Sequence, residues 1–399
     1  MTAAGRSAAR GAWHIGMMVL VGLALLPQVG AAAETLRAGS QGLRYRSDDG
    51  AVRLKLGGRL HYDTAWYDDD LTPIADNADV RRLRLELSGR VGDDWSFKID
   101  RDVGGTSRGW KNVWLAWSGI DHLRLSAGNQ IAPFGVEQLQ SSNSTLLMER
   151  SLMSALTPSF LKGVQARYAL GDWTATAGYF GDPLGDEFGQ NNASGQGPLG
   201  RLTFAPQHRR YRTLHLGASI QQRSLDAGSE FRLRTRPESG VADAVLLDTG
   251  RIVDADEFVA YGAEGIWRYR GWSAQAEYVR MDLQRHVGSD LRFDGGYAQL
   301  GYVLTGESRR YSRASGTLGG IRPRHDWGAL EVALRYSQLD LQDGNVSGGV
   351  GRNLGAGLNW YLNRNVALSA NFIRARARPN RRGDDETANV LQLRAQIHF

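Results

Sequence analysis

The chain has 399 residues, 48 Lys and Arg against 42 Asp and Glu, a formal charge of +6, and no cysteine. Without cysteine there is no disulfide framework and no thiolate metal site. The basic balance would raise the question of nucleic acid in a cytosolic protein, but the amino-terminus reads as an export signal and argues against that partner.

Arg6 and Arg10 precede an apolar stretch from Ile15 to Leu26, and Ala31-Ala32-Ala33 offers a small-residue cleavage site before Glu34. Residues 1–33 are expected to be a secretory signal peptide and residues 34–50 a short periplasmic lead-in. From Ala51 to Trp66 the chain then alternates without a slip. Val52, Leu54, Leu56, Leu60, Tyr62 and Trp66 fall on one side, and Arg53, Lys55, Arg59 and His61 on the other. Successive strand side chains point to opposite faces, so this run predicts a strand about twice the ordinary length, with one greasy and one cationic face. No later segment approaches the roughly 18 uninterrupted apolar residues of a membrane helix. A chain that spans a membrane without helices must close its sheet, because lipid cannot satisfy open backbone groups.

The two-residue period and Gly, Asp, Asn and Pro punctuation predict sixteen strands, at 51–68, 79–91, 94–103, 109–118, 121–129, 163–170, 172–180, 199–206, 211–222, 257–268, 271–281, 295–304, 328–340, 351–362, 365–374 and 388–399. The last ends on an aromatic residue, Phe399. Short turns alternate with longer loops, the asymmetry of an outer-membrane barrel, and residues 51–399 are read as one all-β, transmembrane antiparallel barrel. The segment 305–327 breaks that alternation, being long on the short-turn side. Residues 130–162 and 223–256 exceed the length of passive connections, and a folded-in loop is the usual means of narrowing so wide a barrel.

If the apolar register faces lipid, the opposite register lines the pore. That places Arg53, Lys55, Arg59, Arg82, Arg84, Arg90, Arg124, Arg167, Arg335 and Arg394 inside, together with the acids Glu86, Asp100, Glu264, Glu277 and Glu331. Pairing with those acids would merely solvate the lumen. The cluster of Arg81, Arg82 and Arg84 beside Arg59 favours an anion path, because a guanidinium is always charged and forms paired hydrogen bonds to oxyanions. Trp66, Trp95, Trp117, Trp173, Trp272 and Trp360 on the apolar register are expected to form an interface girdle with outer-membrane lipid. The histidines are scattered without ligand spacing, so neither an enzyme nor a cofactor or metal site is expected.

Lys55-Leu56-Gly57-Gly58-Arg59-Leu60, Arg81-Arg82 with Leu85-Glu86, Pro133-Phe134-Gly135-Val136-Glu137, Ser141-Ser142, Glu149-Arg150, Leu304-Thr305-Gly306-Glu307 and the terminal strand, in this order and spacing, resemble the phosphate-selective porin family, porins O and P. The resemblance implies a homotrimeric, sixteen-stranded barrel with an arginine ladder leading to an inward-folded third loop. It places Arg59, Arg81 and Arg82 on the ladder, Arg232, Arg234 and Arg236 on the fifth loop, and Ser141, Ser142 and Arg150 at the constriction. Oxyanions, phosphate or its condensed forms, would pass from the fifth-loop arginines to Arg59, Arg81, Arg82 and Arg84 and on past the constriction. Gln138 and Asn143 stand where phosphate-selective relatives carry lysines, and Arg84 and Ile131 depart from other constriction residues of the family. A general diffusion porin with mild anion preference is the alternative.

Overall fold

The computed structural model describes residues 36–105, 108–185 and 193–399; the expected signal peptide lies outside them. Sixteen strands form the barrel: β1 (Val52–Asp69), β2 (Asn77–Val91), β3 (Trp95–Gly104), β4 (Gly109–Ile120), β5 (Leu123–Ile131), β6 (Phe160–Leu170), β7 (Trp173–Phe180), β8 (Gly195–Arg209), β9 (Arg212–Leu225), β10 (Ala255–Tyr269), β11 (Trp272–Arg285), β12 (Leu291–Val303), β13 (Ala329–Asp343), β14 (Val346–Tyr361), β15 (Val366–Ala377) and β16 (Glu386–His398). Each pairs antiparallel with the next, and β16 returns to β1 with Ile397 opposite Leu60 and Leu391 opposite Trp66. Every strand overlaps its expected span, because the alternation that predicts it is the alternation that separates lipid from lumen. Among the described residues no helix is long and apolar enough to cross a membrane.

The outer face carries the apolar register. Leu85, Leu216, Leu334 and Leu354 are all more than half exposed, and Trp66, Trp95, Trp173, Trp272 and Trp360 are exposed with them. Exposed apolar surface of that extent all round a barrel is accounted for by lipid. The seam is tight. Gly58 donates to the Phe399 carbonyl at 3.1 Å and Phe399 donates back at 3.0 Å, while a Cβ at Gly57 would lie 2.5 Å from the Phe399 carbonyl oxygen. Gly57→Val is therefore expected to push the closing strand away and to destabilise the barrel by roughly 1–3 kcal/mol. Urea unfolding followed by heat-modifiable mobility checks this; an unchanged midpoint would refute the role given to the seam.

Three parts of the chain depart from a plain tube. Residues 36–46, expected only as a lead-in, form a hairpin (Leu36–Gly39 with Gly42–Arg46) that pairs with the start of β1, Leu43 opposite Leu56. The long segment between Val303 and Ala329 carries a small ladder, Tyr311–Ser312 with Thr317–Leu318, and folds into the lumen. Its Arg309 is 1% exposed and donates to both Glu331 oxygens at 2.6 and 2.5 Å. Finally, the loops after β5 and β9 pack together inside the barrel. Leu152, Met153 and Leu156 meet Phe231, Leu233 and Leu247 against the inward residues Phe258, Met281, Phe293, Leu339, Ile373 and Val390. The expectation of a polar lumen is thus corrected for the long-loop half of β10–β16, where both registers are apolar and the inner one is a dry core. At that level the open space lies on the side of β1–β8.

Candidate functional site

On the β1–β2 pair, His61 lies opposite Arg82 and Tyr62 opposite Val80, so Arg81 is the extra residue of a β-bulge. A regular strand would send neighbours to opposite faces; the bulge lets Arg81 and Arg82 both turn inward. They converge on Glu149 of the third loop. Arg81 donates to both its oxygens at 2.9 Å, Arg82 Nη1 lies 3.6 Å away, and Arg394 of β16 donates to it at 2.8 Å. Burial works to raise the Glu149 pKa, but Arg81, Arg82 and Arg394 outweigh it and hold the carboxyl well below its ordinary value. Arg394 also grips Asp63 at 2.7 and 2.6 Å. Three guanidiniums face two carboxylates, which leaves one positive charge over. The surplus falls on Arg82: it is 6% exposed, and its Nη1 donates to no atom of the described residues.

One turn of the wall nearer the short-turn end, the charges balance. Arg84 donates to both oxygens of Asp102 at 3.1 and 2.6 Å. Lys98 reaches Glu86 at 2.9 Å and Asp100 at 3.4 Å, and Arg59 lies 3.7 Å from Glu86 while donating to Ser142 Oγ at 3.1 Å. Arg84 borders the cavity described below, but its charge is already met.

The third loop is held against the far wall. Its short helix Val136–Leu139 presents the Val136 and Glu137 N–H groups to Glu277 of β11 at 2.8 and 2.6 Å. Arg335 of β13 donates to Glu137 at 3.0 Å, Asn359 of β14 to the Leu146 carbonyl at 2.9 Å, and Asn371 of β15 accepts from Met148 at 2.7 Å. Arg150 donates to the carbonyls of Glu137, Gln138 and Gln140, at 3.0, 3.1 and 3.4 Å, and so both shapes the loop and faces the cavity. Gln138 is buried, and Asn143 Oδ1 lies 2.9 Å from His61 Nε2.

The fifth-loop arginines divide. Arg232 is bonded to Asp248, which belongs to a two-residue ladder, Arg234–Thr235 with Leu247–Asp248. Arg234 and Arg236 are exposed, and Arg236 stands in the fields of Arg81 and Arg234. Gly240 is the contact between this loop and Arg81, since a Cβ there would lie 2.0 Å from Arg81 Nε.

Between the third loop and the wall of β1–β8 lies a cavity of about 720 Å³, bordered by Arg59, Arg82, Arg84, Lys98, Arg108, Lys111, Arg124, Arg150, Arg167 and Arg201, and by no carboxylate among the described residues. Ser141 also borders a second cavity of about 620 Å³ below it, lined by Lys55, Arg310, Arg322 and Arg364, by the terminal Phe399, and by no aspartate or glutamate among the described residues. Ser141 thus stands at the neck between them. Of the expected site residues, Arg59, Arg82, Arg84, Ser141, Ser142 and Arg150 meet at the first cavity, Arg81 supports Arg82 through Glu149, and Arg232, Arg234 and Arg236 lie apart on the fifth loop. Lys98 and Arg201 join the cavity from inward positions flanked by the outward residues Ile99 and Leu202, a legible signal. Lys111 does not follow from alternation, because a second irregularity sets Ile99 opposite Val113 but Arg101 opposite Trp110.

The chain matches the family model "Phosphate-selective porin O and P" over residues 54–399. It is 30% identical to Porin O of Pseudomonas aeruginosa over 86% of this chain and 88% of that protein. An uncharacterized protein of Caulobacter vibrioides is also 30% identical, over 81% and 68% of the two chains. In fold, the barrel is similar to an anion-selective porin from Comamonas acidovorans (TM-score 0.58, 12% identity, 87% of this chain and all of that one) and to the outer membrane channel DcaP of Acinetobacter baumannii (TM-score 0.56, 13% identity, 91% and 100%). With a closed sixteen-strand wall, a constriction built by the third loop and a family match across almost the whole barrel, the chain belongs to the phosphate-selective porin O and P family of bacterial outer-membrane porins.

Proposed function

We propose that this porin gives passive, anion-selective passage to phosphate or a related oxyanion, which crosses the neck at Ser141 and Ser142 under the surplus charge of Arg82. The observation that carries this reading is the lining of the two cavities: ten cations in one, four in the other, and no aspartate or glutamate among the described residues in either. Charged rings of one sign are how wide pores select ions, and a series of moderate sites lets an ion leave as well as enter. The exposed Arg234 and Arg236 would gather anions at the outer face.

A trimer, as in the family, would use the low side of the wall. Strands β3–β7 have 8–12 residues, whereas β1 has 18 and β14 has 16.

The test is the zero-current potential of the purified protein in a planar bilayer under a KCl gradient, followed by phosphate and pyrophosphate titration of the chloride conductance. An anion-selective potential with saturable block is expected. A weak potential without block would make the protein a general diffusion porin.

A further inference from the structure

The anion path uses one side of the 720 Å³ cavity; the opposite side holds cations that it does not need. Arg124 of β5 and Arg167 of β6 lie directly opposite one another across the strand pair. Like charges in that arrangement destabilise a sheet. Among the described residues neither forms an ion pair: Arg124 Nη1 donates to Ser96 Oγ at 3.0 Å and Arg167 Nη1 to the Ala314 carbonyl at 2.5 Å, both neutral acceptors. Two unneutralised guanidiniums on adjacent strands need a counter-ion, and the described residues supply none.

The same corner holds an aromatic ring where porin lumens are polar. Trp114 of β4 is half-buried, borders the cavity, and has Arg124 over its ring, with Cζ 4.9 Å from the ring centroid. Its Nε1–H is committed to Asn112 Oδ1 at 3.1 Å, so the ring is fixed in place. An indole beneath a guanidinium leaves the guanidinium's other face as a flat, weakly hydrated surface, the kind on which planar groups stack. The cavity falls in the range of about 300–1,000 Å³ that accommodates organic ligands; a bare orthophosphate leaves most of it empty.

We propose that Trp114, Arg124 and Arg167 form a second station on the short-turn side of the cavity, which binds anions bearing a planar organic group, such as aryl phosphate monoesters, in preference to orthophosphate. The two guanidiniums take the phosphate oxygens, and the planar group lies on the Trp114–Arg124 stack. This rests on the anion-porin reading above and extends it from inorganic oxyanions to organic ones.

The experiment compares phenyl phosphate with orthophosphate as blockers of chloride current through the wild-type channel in a planar bilayer. Phenyl phosphate is expected to half-block at a concentration at least about fivefold lower, the lower end of what stacking one aromatic group contributes. Trp114→Leu is expected to bring the two values within twofold of each other. Equal half-blocking concentrations in the wild type, or an undiminished difference in Trp114→Leu, would overturn the proposal. If leucine prevents insertion, Arg167→Gln serves instead: a phenyl phosphate half-block raised at least fivefold supports the station, and an unchanged one removes it. The zero-current potential read in the same bilayers keeps the two levels apart. An anion-selective potential with equal block defeats the station alone, whereas an unselective potential defeats the anion-porin reading itself.

Discussion

Channels carrying Arg82→Gln are expected to lose most of their preference for anions and to need about tenfold more phosphate for half-block. Around Glu149 and Asp63 the three arginines leave a single positive charge unmatched, and Arg82 is the one with a donor to spare. Glutamine at 82 brings that cluster to neutrality while keeping a polar side chain against the cavity. A hydrogen bond to a charged group contributes about 1.5–3 kcal/mol, and 1.4 kcal/mol is tenfold in affinity. Screening in the water-filled pore argues for the lower end. Reversal potentials and phosphate titrations of the variant measure both effects; if neither moves, the surplus charge is not what selects the ion. Arg84→Gln forms the contrast. It would strip Asp102 of its bidentate partner and place an unpaired carboxylate beside the path, so its channels should turn toward cations.

Arg309→Ala should have the larger effect on structure. The Arg309–Glu331 pair is fully buried, Tyr361 donates to the same carboxylate at 2.8 Å, and Arg309 Nη1 donates at 2.5 Å to the Ser144 carbonyl of the third loop. Breaking a buried pair by removing one partner costs about 3–5 kcal/mol, because the remaining charge is left without compensation. The wall is tied by continuous ladders, so the tether gives way first: the segment between Val303 and Ala329 should leave the lumen. Single-channel conductance would rise severalfold and become noisy. Restoring neutrality with Arg309→Met and Glu331→Leu together should recover folding stability but not the tether. Unchanged conductance in Arg309→Ala would show that the segment does not narrow the pore.

The strands were legible because one face meets lipid and the other does not, and a period of two encodes that contrast directly. Arg59, Arg82 and Arg84 followed from the same register. Where both faces of a strand are apolar, the signal vanishes: Phe258 and Met281 face a dry loop core rather than water, and alternation has no contrast left to report. Charge balance was hidden for a different reason. Whether an arginine is free for a ligand depends on partners hundreds of positions away, as with Arg394 and Asp63 or Arg335 and Glu137. The inward course of the segment around Arg309 was likewise invisible, since partners far along the chain fix it, Glu331 for Arg309, His215 for Tyr311 and Arg201 for the Ser315 carbonyl. Arg81 and Lys111 sit where pairing slips by one residue, which no periodicity can announce.

That slip has a bearing on how such pores change over generations. Because Arg81 is supernumerary in its strand, Val80 above it and Arg82 below it face as they would if it were missing. A single-codon insertion can therefore add a charged side chain to the conduit while every neighbour keeps its side of the wall, and a single-codon deletion can take it away. Ion preference can drift by one residue at a time, with the number of strands, the seam and the lipid face inherited intact.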